Sequence, residues 1–263
     1  MDRPNWAPVG IDLSVPSASR IYDFYLGGSH NFRIDRQIAR NAIEMWPELP
    51  QIMQENRAFL RRAVRYLAEA GIDQFIDIGS GIPTAGNVHE VAREVNPEAR
   101  VVYVDCDPVA IAHSRAILAE HTETVVVQAD LRNPESITNH ENVRAAIDFT
   151  KPVGILIIAV LHFLDDSAKP ADLIARLCSD LASGSYLAIS HAGANIAPER
   201  AAEHVDLYKR TPTPMTMRTH DQVEALFGDF DLVAPGLVGL TQWRSEGPPS
   251  NAVPGFAGVG RKP

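Results

Sequence analysis

The chain has 263 residues, 45% of them apolar, 22% charged, and a formal net charge of −9. That balance is typical of globular proteins and excludes a disordered chain, a collagen-like repeat or a bare disulfide scaffold. The acidic total disfavours bulk adhesion to nucleic acid or to an anionic membrane, so neither is expected as a partner.

Two cysteines, Cys106 and Cys178, cannot make a framework of bridges. Both lie in apolar-patterned stretches and are expected as reduced core residues of a cytoplasmic protein. The opening MDRPNWAPVG lacks the basic and apolar stretches of a signal peptide. The longest apolar run, Val153 to Leu161, is well short of the roughly 20 residues of a membrane span.

In chain order, residues 1–15 read as an arm punctuated by proline and glycine. A helix follows from Pro16 to Leu26, ended by Gly27-Gly28. A second covers Asp35 to Met45, and a third Pro50 to Ala70, stopping at Gly71. From Gln74 short β-branched runs at 75–78, 101–104, 125–128, 153–160 and 186–190 alternate with helical stretches near 84–95, 108–120, 135–149 and 171–182. Such alternation predicts an α/β fold with a doubly wound, mostly parallel sheet behind a helical cap. The run at 153–160 has the uniform apolarity of a central strand. Beyond it come a helix from Pro198 to Lys209, the loop TPTPMTMR, a helix with Thr219 and Gln222 as its capping box, and two extended runs (231–238 and 256–259) expected as an antiparallel pair.

The stretch FIDIGSGIPT at 75–84 is a strand ending in an acid, a glycine turn and a helix start. Gly79 and Gly81 permit a sharp turn and close approach of a ligand. The helix beginning near Thr84 is expected to aim its free N–H groups there. Alone, this pattern is equally a plain βα turn. Asp105 ends the second strand and Asp130 follows the third, so together with Asp77 they set three carboxylates on the edge where open α/β sheets bind ligands. As a second reading, Asp105 and Asp130 cap the helices they precede. A diphosphate is disfavoured, because the third glycine of G-x-G-x-x-G is missing and Asp77 would repel it. A cationic adenosine compound without phosphate, S-adenosylmethionine (SAM), suits the acids better.

The segments SASRIYDFYLGGSHNFRIDR (17–36), ENRAFLRRAVRYLAEAGIDQFIDIGSGIPTAGNVHEV, VVYVDCDPVAIAHSRAIL, AVLHFL, GSYLAISHA and the final GVGRKP together resemble the actinobacterial S-adenosyl methyltransferase family, once known only as a domain of unknown function. The likeness spans nearly the whole chain. It implies a Rossmann-like class I methyltransferase of seven strands, the last antiparallel, with SAM as cofactor and S-adenosylhomocysteine (SAH) as product. At matching positions it implies Asp77, Gly79, Ser80, Gly81 and Thr84 beside the methionine and ribose, and Asp105 on the ribose hydroxyls. Cys106 and Asp107 would lie next to the adenine, Asp130 and Leu131 at its amino group, and Ala159 and Val160 toward the methyl. The usual glycine-rich loop is replaced by Ile82-Pro83-Thr84, and no Asn-Pro-Pro-Tyr-type tetrapeptide follows the fourth strand.

For a proton acceptor, His162 in AVLHFL leads, His191 in AISHA follows, and His30 comes third; the alternative for His162 is a histidine bonded to backbone at a strand end. Arg20, Tyr22, Asp23 and Tyr25, with the Gly27-Gly28 turn, are expected as a lid wall, Arg20 holding the SAM carboxylate. The alternative is an amphipathic cap helix packed on the core. Arg57, Arg61, Arg62 and Arg65 suggest a basic stripe, read foremost as a solvated face paired with Glu55 and Glu69. No metal-ligand cluster is evident. The chain divides into an arm and cap at 1–70 and a methyltransferase domain at 71–263 with an insertion at about 195–218. A small-molecule acceptor would enter between cap and insertion. The rivals are a nicotinamide-dependent oxidoreductase and a SAM-binding or SAH-binding regulator without turnover.

Overall fold

The computed structural model describes residues 12–83, 86–119, 123–193, 205–206, 214–245, 247 and 253–263. Thr84, most of the 1–15 arm and almost all of the helix expected from Pro198 to Lys209 lie outside them.

Three helices come first: α1 (Ala18–Tyr25), α2 (Arg33–Met45) and α3 (Leu49–Glu69). Gly71 then reverses the chain at φ +93°, a conformation glycine adopts without strain. Five strands follow, β1 (Gln74–Ile78), β2 (Arg100–Asp105), β3 (Thr124–Gln128), β4 (Gly154–Ile158) and β5 (Tyr186–His191). Between them lie α4 (Val88–Val95), α5 (Pro108–Ile117), α6 (Glu135–Thr138), α7 (Glu141–Ala146) and α8 (Pro170–Leu177). The chain closes with α9 (His220–Glu224), β6 (Asp231–Leu232), β7 (Val238–Gly239) and β8 (Phe256–Arg261).

The sheet order is β3-β2-β1-β4-β5-β8-β6, with β7 also on β8. Strands β1 to β5 pair in parallel, and β8 runs antiparallel to β5. The chain steps outward from β1 to β3 and returns to β4 at the other side of β1. That reversal opens a crevice at the carboxyl ends of β1 and β4.

Alternation along the strands divides the core in two. Phe75, Tyr103, Leu156 and Ala188 face α1, α2, α3 and α4. Ile76, Val102, Ile155 and Leu187 face the opposite layer with Ile137, Val143, Leu173 and Val223. The cap helices therefore share one core with a sheet face. Asp77 is on that face too, by the same alternation, one residue from the strand's end.

Four expectations change. The helix expected at 135–149 divides into α6 and α7, because His140 accepts from the Asn142 N–H at 3.2 Å and starts a new helix. The run at 231–238 is broken at 234–236, where the Ala234–Pro235 bond is cis. Its two halves, β6 and β7, both pair with β8. Helix α4 begins at Val88 rather than near Thr84, and Glu90 accepts from the Gly86 and Asn87 N–H groups at 2.6 and 2.8 Å. Cys106 is exposed and only Cys178 is buried, since Cys106 lies one residue past β2, where the strand leaves the core.

Candidate active site

A cavity of about 220 Å³ opens at the carboxyl edge of the sheet, roofed by α1 and α3. Its wall includes Asp77, Gly79, Ser80, Gly81, Asp105, Cys106, Asp130 and Leu131 from the first three strand ends. Ala159, Val160, His162 and His191 come from the next two, and Tyr22, Asp23 and Tyr25 from the cap. Arg20, Gly28, His30 and Asp107 do not line it.

The glycine loop is folded against β2. Gly79 and Ser80 donate their N–H groups to the Val104 carbonyl at 2.7 and 3.1 Å. Gly81 donates to Asp105 Oδ2 at 2.7 Å. With three successive N–H groups engaged and α4 capped by its own Glu90, the loop is no nest for a diphosphate. Gly79 is required twice over. Its φ is +69°, and a Cβ there would stand 2.3 Å from Val160 Cγ2.

Asp105 also accepts from the Asp107 N–H at 2.8 Å. Burial nevertheless pushes its carboxyl up to about 6, with the Asp107 charge adding to the effect and these backbone bonds opposing it. Burial raises Asp77 further, to about 7; the Arg57 charge opposes this and that of Asp105 adds to it. In both acids burial outweighs the partners that favour the charged form, the backbone N–H groups at Asp105 and the Arg57 charge at Asp77. Asp130 is half-exposed at the rim, held by the Arg132 N–H at 2.9 Å and guanidinium at 3.2 Å.

Arg20 does not hold a ligand in this arrangement. Its guanidinium donates to Asp35 at 2.9 Å, Asp107 at 3.2 Å and the Val15 carbonyl at 2.6 Å. It fastens α1 to the start of α2 and to the turn after β2. Asp107 accepts from Ser17 and caps α5 through the Val109 N–H at 2.8 Å. The arginines that do line the cavity are Arg132, paired with Asp130 at the rim, and Arg57, beside Asp77.

Asn56, also unforeseen, ties cap to sheet. Ala159 N–H donates to Ser190 Oγ at 2.9 Å, and Ser190 Oγ donates to Asn56 Oδ1 at 2.5 Å. Asn56 Nδ2 donates to the Tyr22 hydroxyl at 2.9 Å, which donates to the Met53 carbonyl at 3.3 Å. Ala159 at the end of this chain has φ +58°, a strained value of the kind found where a site over-determines the backbone. A signal for Asn56 and Arg57 existed: each falls on the apolar faces of α3, among Ile52, Phe59, Leu60 and Val64, where a polar side chain needs a reason.

His191 has both ring nitrogens engaged. Nδ1 is 2.8 Å from the Ala192 carbonyl and Nε2 2.9 Å from Arg218 Nη1. A ring donating at Nδ1 and accepting at Nε2 is neutral. Burial, aided by the Arg218 charge, lowers it to about 4, so it is not placed to take a proton. His162 is buried in the cavity wall, its ring 5.5 Å from that of His191.

The arginines of α3 do not form one stripe. Arg62 donates to the Trp243 and Leu240 carbonyls at 2.7 Å each, and exposed Arg65 pairs with Glu94 at 2.5 Å. Among the described residues one potential metal-ligand cluster occurs, partly buried His220 with exposed Asp221 and Glu224, and none of these lines the cavity. No described helix is long and apolar enough to cross a membrane.

A sheet with its one antiparallel strand inserted next to β5, and acids at the ends of β1, β2 and β3, defines a Rossmann-like methyltransferase. The chain belongs to the S-adenosyl methyltransferase family, whose model matches residues 4–263, and is a SAM-dependent methyltransferase. It is 42% identical to a candidate methyltransferase from Thermobifida fusca YX, with a TM-score of 0.93 over 98% of this chain and 99% of that one. A DUF574 family protein from Streptomyces avermitilis MA-4680 is 39% identical, with a TM-score of 0.91 over 96% and 99% of the two chains. The N-methyltransferase NodS from Bradyrhizobium japonicum WM9, solved with SAH, shares the fold at 14% identity and a TM-score of 0.52, over 93% and 99% of the chains. No curated protein matches the chain.

Proposed function

We propose that the chain methylates a small, neutral, largely apolar acceptor, and that the two ends of the cavity divide the work. The observation that carries this is the distribution of charge. Asp77, Asp105, Asp130, Arg57 and Arg132 stand around the ends of β1 to β3, whereas Leu49, Ile52, Met53, Met215, Met217 and Leu240 form an apolar wall beyond Val160.

SAM supplies an electrophilic methyl on a sulfonium and brings no phosphate. The acidic end suits it: Asp105 would accept from the ribose hydroxyls, Asp130 would read the adenine amino group, and Cys106 and Leu131 would flank the ring. Asp77 and Arg57 form an acid–base pair matched to the ammonium and carboxylate of an amino-acid zwitterion. This gives Arg57 the part expected of Arg20. Ala159 and Val160 would face the methyl, and Tyr22 and Tyr25 would close the roof. The chain's own task is to orient the reactants and exclude water. Where the acceptor must lose a proton, His162 is the histidine positioned to take it.

In this reading residues 1–70 are the arm and cap of a methyltransferase domain at 71–263; most of the insertion at about 195–218 lies outside the described residues, and its described end brings Met215 and Met217 to the cavity wall. Titration calorimetry with SAM, SAH and NAD is the first test, followed by SAH release in an acceptor screen. Binding of SAM and SAH but not NAD supports the cofactor end, and preference for neutral over charged acceptors supports the other. Tight NAD binding would sink the reading, and SAM binding without any turnover would favour a regulator.

A further inference from the structure

Segment 214–218 lies beside the ends of β4 and β5, and Arg218 fastens it there. Its side chain is 3% exposed and its donors are shared between two stretches of chain, 161–166 and the end of β5. Nη1 donates to the Leu161 carbonyl at 3.0 Å and to His191 Nε2 at 2.9 Å. Nη2 donates to the Leu164 carbonyl at 2.8 Å and to Asp166 Oδ1 at 2.7 Å, which Nε also reaches at 3.2 Å. The backbone adds Thr216 N–H to the His162 carbonyl at 2.6 Å and a parallel bridge between Gly193 and Arg218.

Asp166, the one carboxylate in this set, is itself exposed. The guanidinium is therefore held mainly by two carbonyls and an imidazole, and these belong to the turn after β4 and the end of β5. Both stretches line the cavity at His162, Phe163, Leu164 and His191, and the segment Arg218 anchors carries Met215 and Met217 into the same wall. A planar fork can hold these divergent acceptors at once, and an ammonium cannot.

We propose that Arg218 is a positioning residue of the acceptor end, a clamp that fixes the turn bearing His162 and the wall of Met215 and Met217 in one arrangement. The proposal rests on the reading of that end as the acceptor's. Among the described residues Asp77, Asp105 and Asp130 share no hydrogen bond with Arg218, whose side-chain partners are Leu161, Leu164, Asp166 and His191, so the two ends should separate under mutation.

The test compares the full chain with Arg218→Lys and Arg218→Gln. The readouts are hydrogen-peroxide oxidation of Met215 and Met217 by peptide mass, and SAH affinity by calorimetry. Met215 is buried in the intact chain, and both variants should oxidise at these methionines several-fold faster, with SAH affinity within about two-fold of the parent. The His191 ring, faced by Arg218, Asp166 and His162, gives a second signature by nitrogen-detected NMR: it should lose the Nε2 shift of a hydrogen-bonded acceptor in Arg218→Gln. Unchanged oxidation and an unchanged His191 spectrum would overturn the clamp. So would SAH affinity falling in step with oxidation, or failure of both variants to fold, either of which makes Arg218 a residue of the general scaffold. Absence of SAH binding in the parent chain would instead overturn the underlying functional reading.

Discussion

The acidic end of the cavity is made by the sheet, whereas the apolar end is assembled from parts distant in sequence. Asp77, Asp105 and Asp130 occupy strand ends, so the strand order alone brings them together. The apolar end needs α3, the turn after β4, residues 215–217 and Leu240 at once, and depends on buried polar ties (Asn56 to Ser190, Arg218 to His191) to keep its shape. The first end stores electrostatic strain in its acids; the second stores order in its hydrogen bonds. Each kind of end fails differently, and mutation can show it.

The largest expected effect is on stability at the acidic end. Asp77 holds its proton up to about pH 7 in the fold but only to its ordinary value near 4 when unfolded. The folded state therefore binds more protons between these values, and stability falls as pH rises from about 4 through about 7, with the full cost in place above it. Asp77→Asn should remove that slope. Urea unfolding should show little gain at pH 4 and a gain of up to about 4 kcal/mol at pH 8, at about 1.4 kcal/mol per unit of pKa. An equal gain at both pH values would mean that the buried charge is not the cause.

Next comes affinity at the same end. Asp105→Ala should weaken SAH binding by about 100-fold, roughly 2.7 kcal/mol, because two charge-assisted bonds are lost. The chain should remain folded, since a carboxyl raised by burial costs stability when ionised. A drop below about three-fold in calorimetry would remove Asp105 from the ribose site.

The difference between the ends also explains what the sequence made readable. Strand alternation and glycine placement expose β1 to β5 and the three acids, because both follow from local period and from the rule for ligand edges. Arg20 misleads because its dense, functional-looking helix is bound to Asp35 and Asp107, contacts made across separations no local pattern encodes. His191 misleads for the same reason, through Arg218. Asn56 and Arg57 are legible in principle, as polar residues on an apolar helical face, but ionic spacing along α3 assigns Arg57 to a solvated stripe and passes over Asn56. The break between β6 and β7 falls at a proline turn, and both halves pair with β8, from Gly239 with Phe256 to Asp231 with Arg261, partners that no local pattern points to.

At the apolar end, Asn56→Leu should leave Ser190 Oγ and the Tyr22 hydroxyl without their shared partner. A loss of about 1–3 kcal/mol in urea unfolding is expected for such buried groups, with SAH affinity changed by less than about three-fold. A large loss of SAH affinity would show that the two ends are not separable and that the cap tie serves the cofactor as well.

The smallest effects come from α3's outer arginines, and they mark where the polar ties stop mattering. Arg62 is half-buried and gives two N–H groups to the carbonyls of Leu240 and Trp243, so it holds the C-terminal loop whose Leu240 lines the cavity. Arg62→Ala should cost about 1–2 kcal/mol. Arg65, three residues on, meets Glu94 with both side chains half in water, and solvent screening leaves such a pair about 0–1 kcal/mol. Arg65→Ala should thus be indistinguishable from the parent in 0.5 M salt, while Arg62→Ala keeps its deficit there, because bonds to neutral carbonyls are shielded by burial rather than weakened by ions. Equal salt sensitivity in the two variants would mean that Arg62 acts as a surface charge and that the loop is held by the packing of Trp243 on Phe59 and Tyr66 alone.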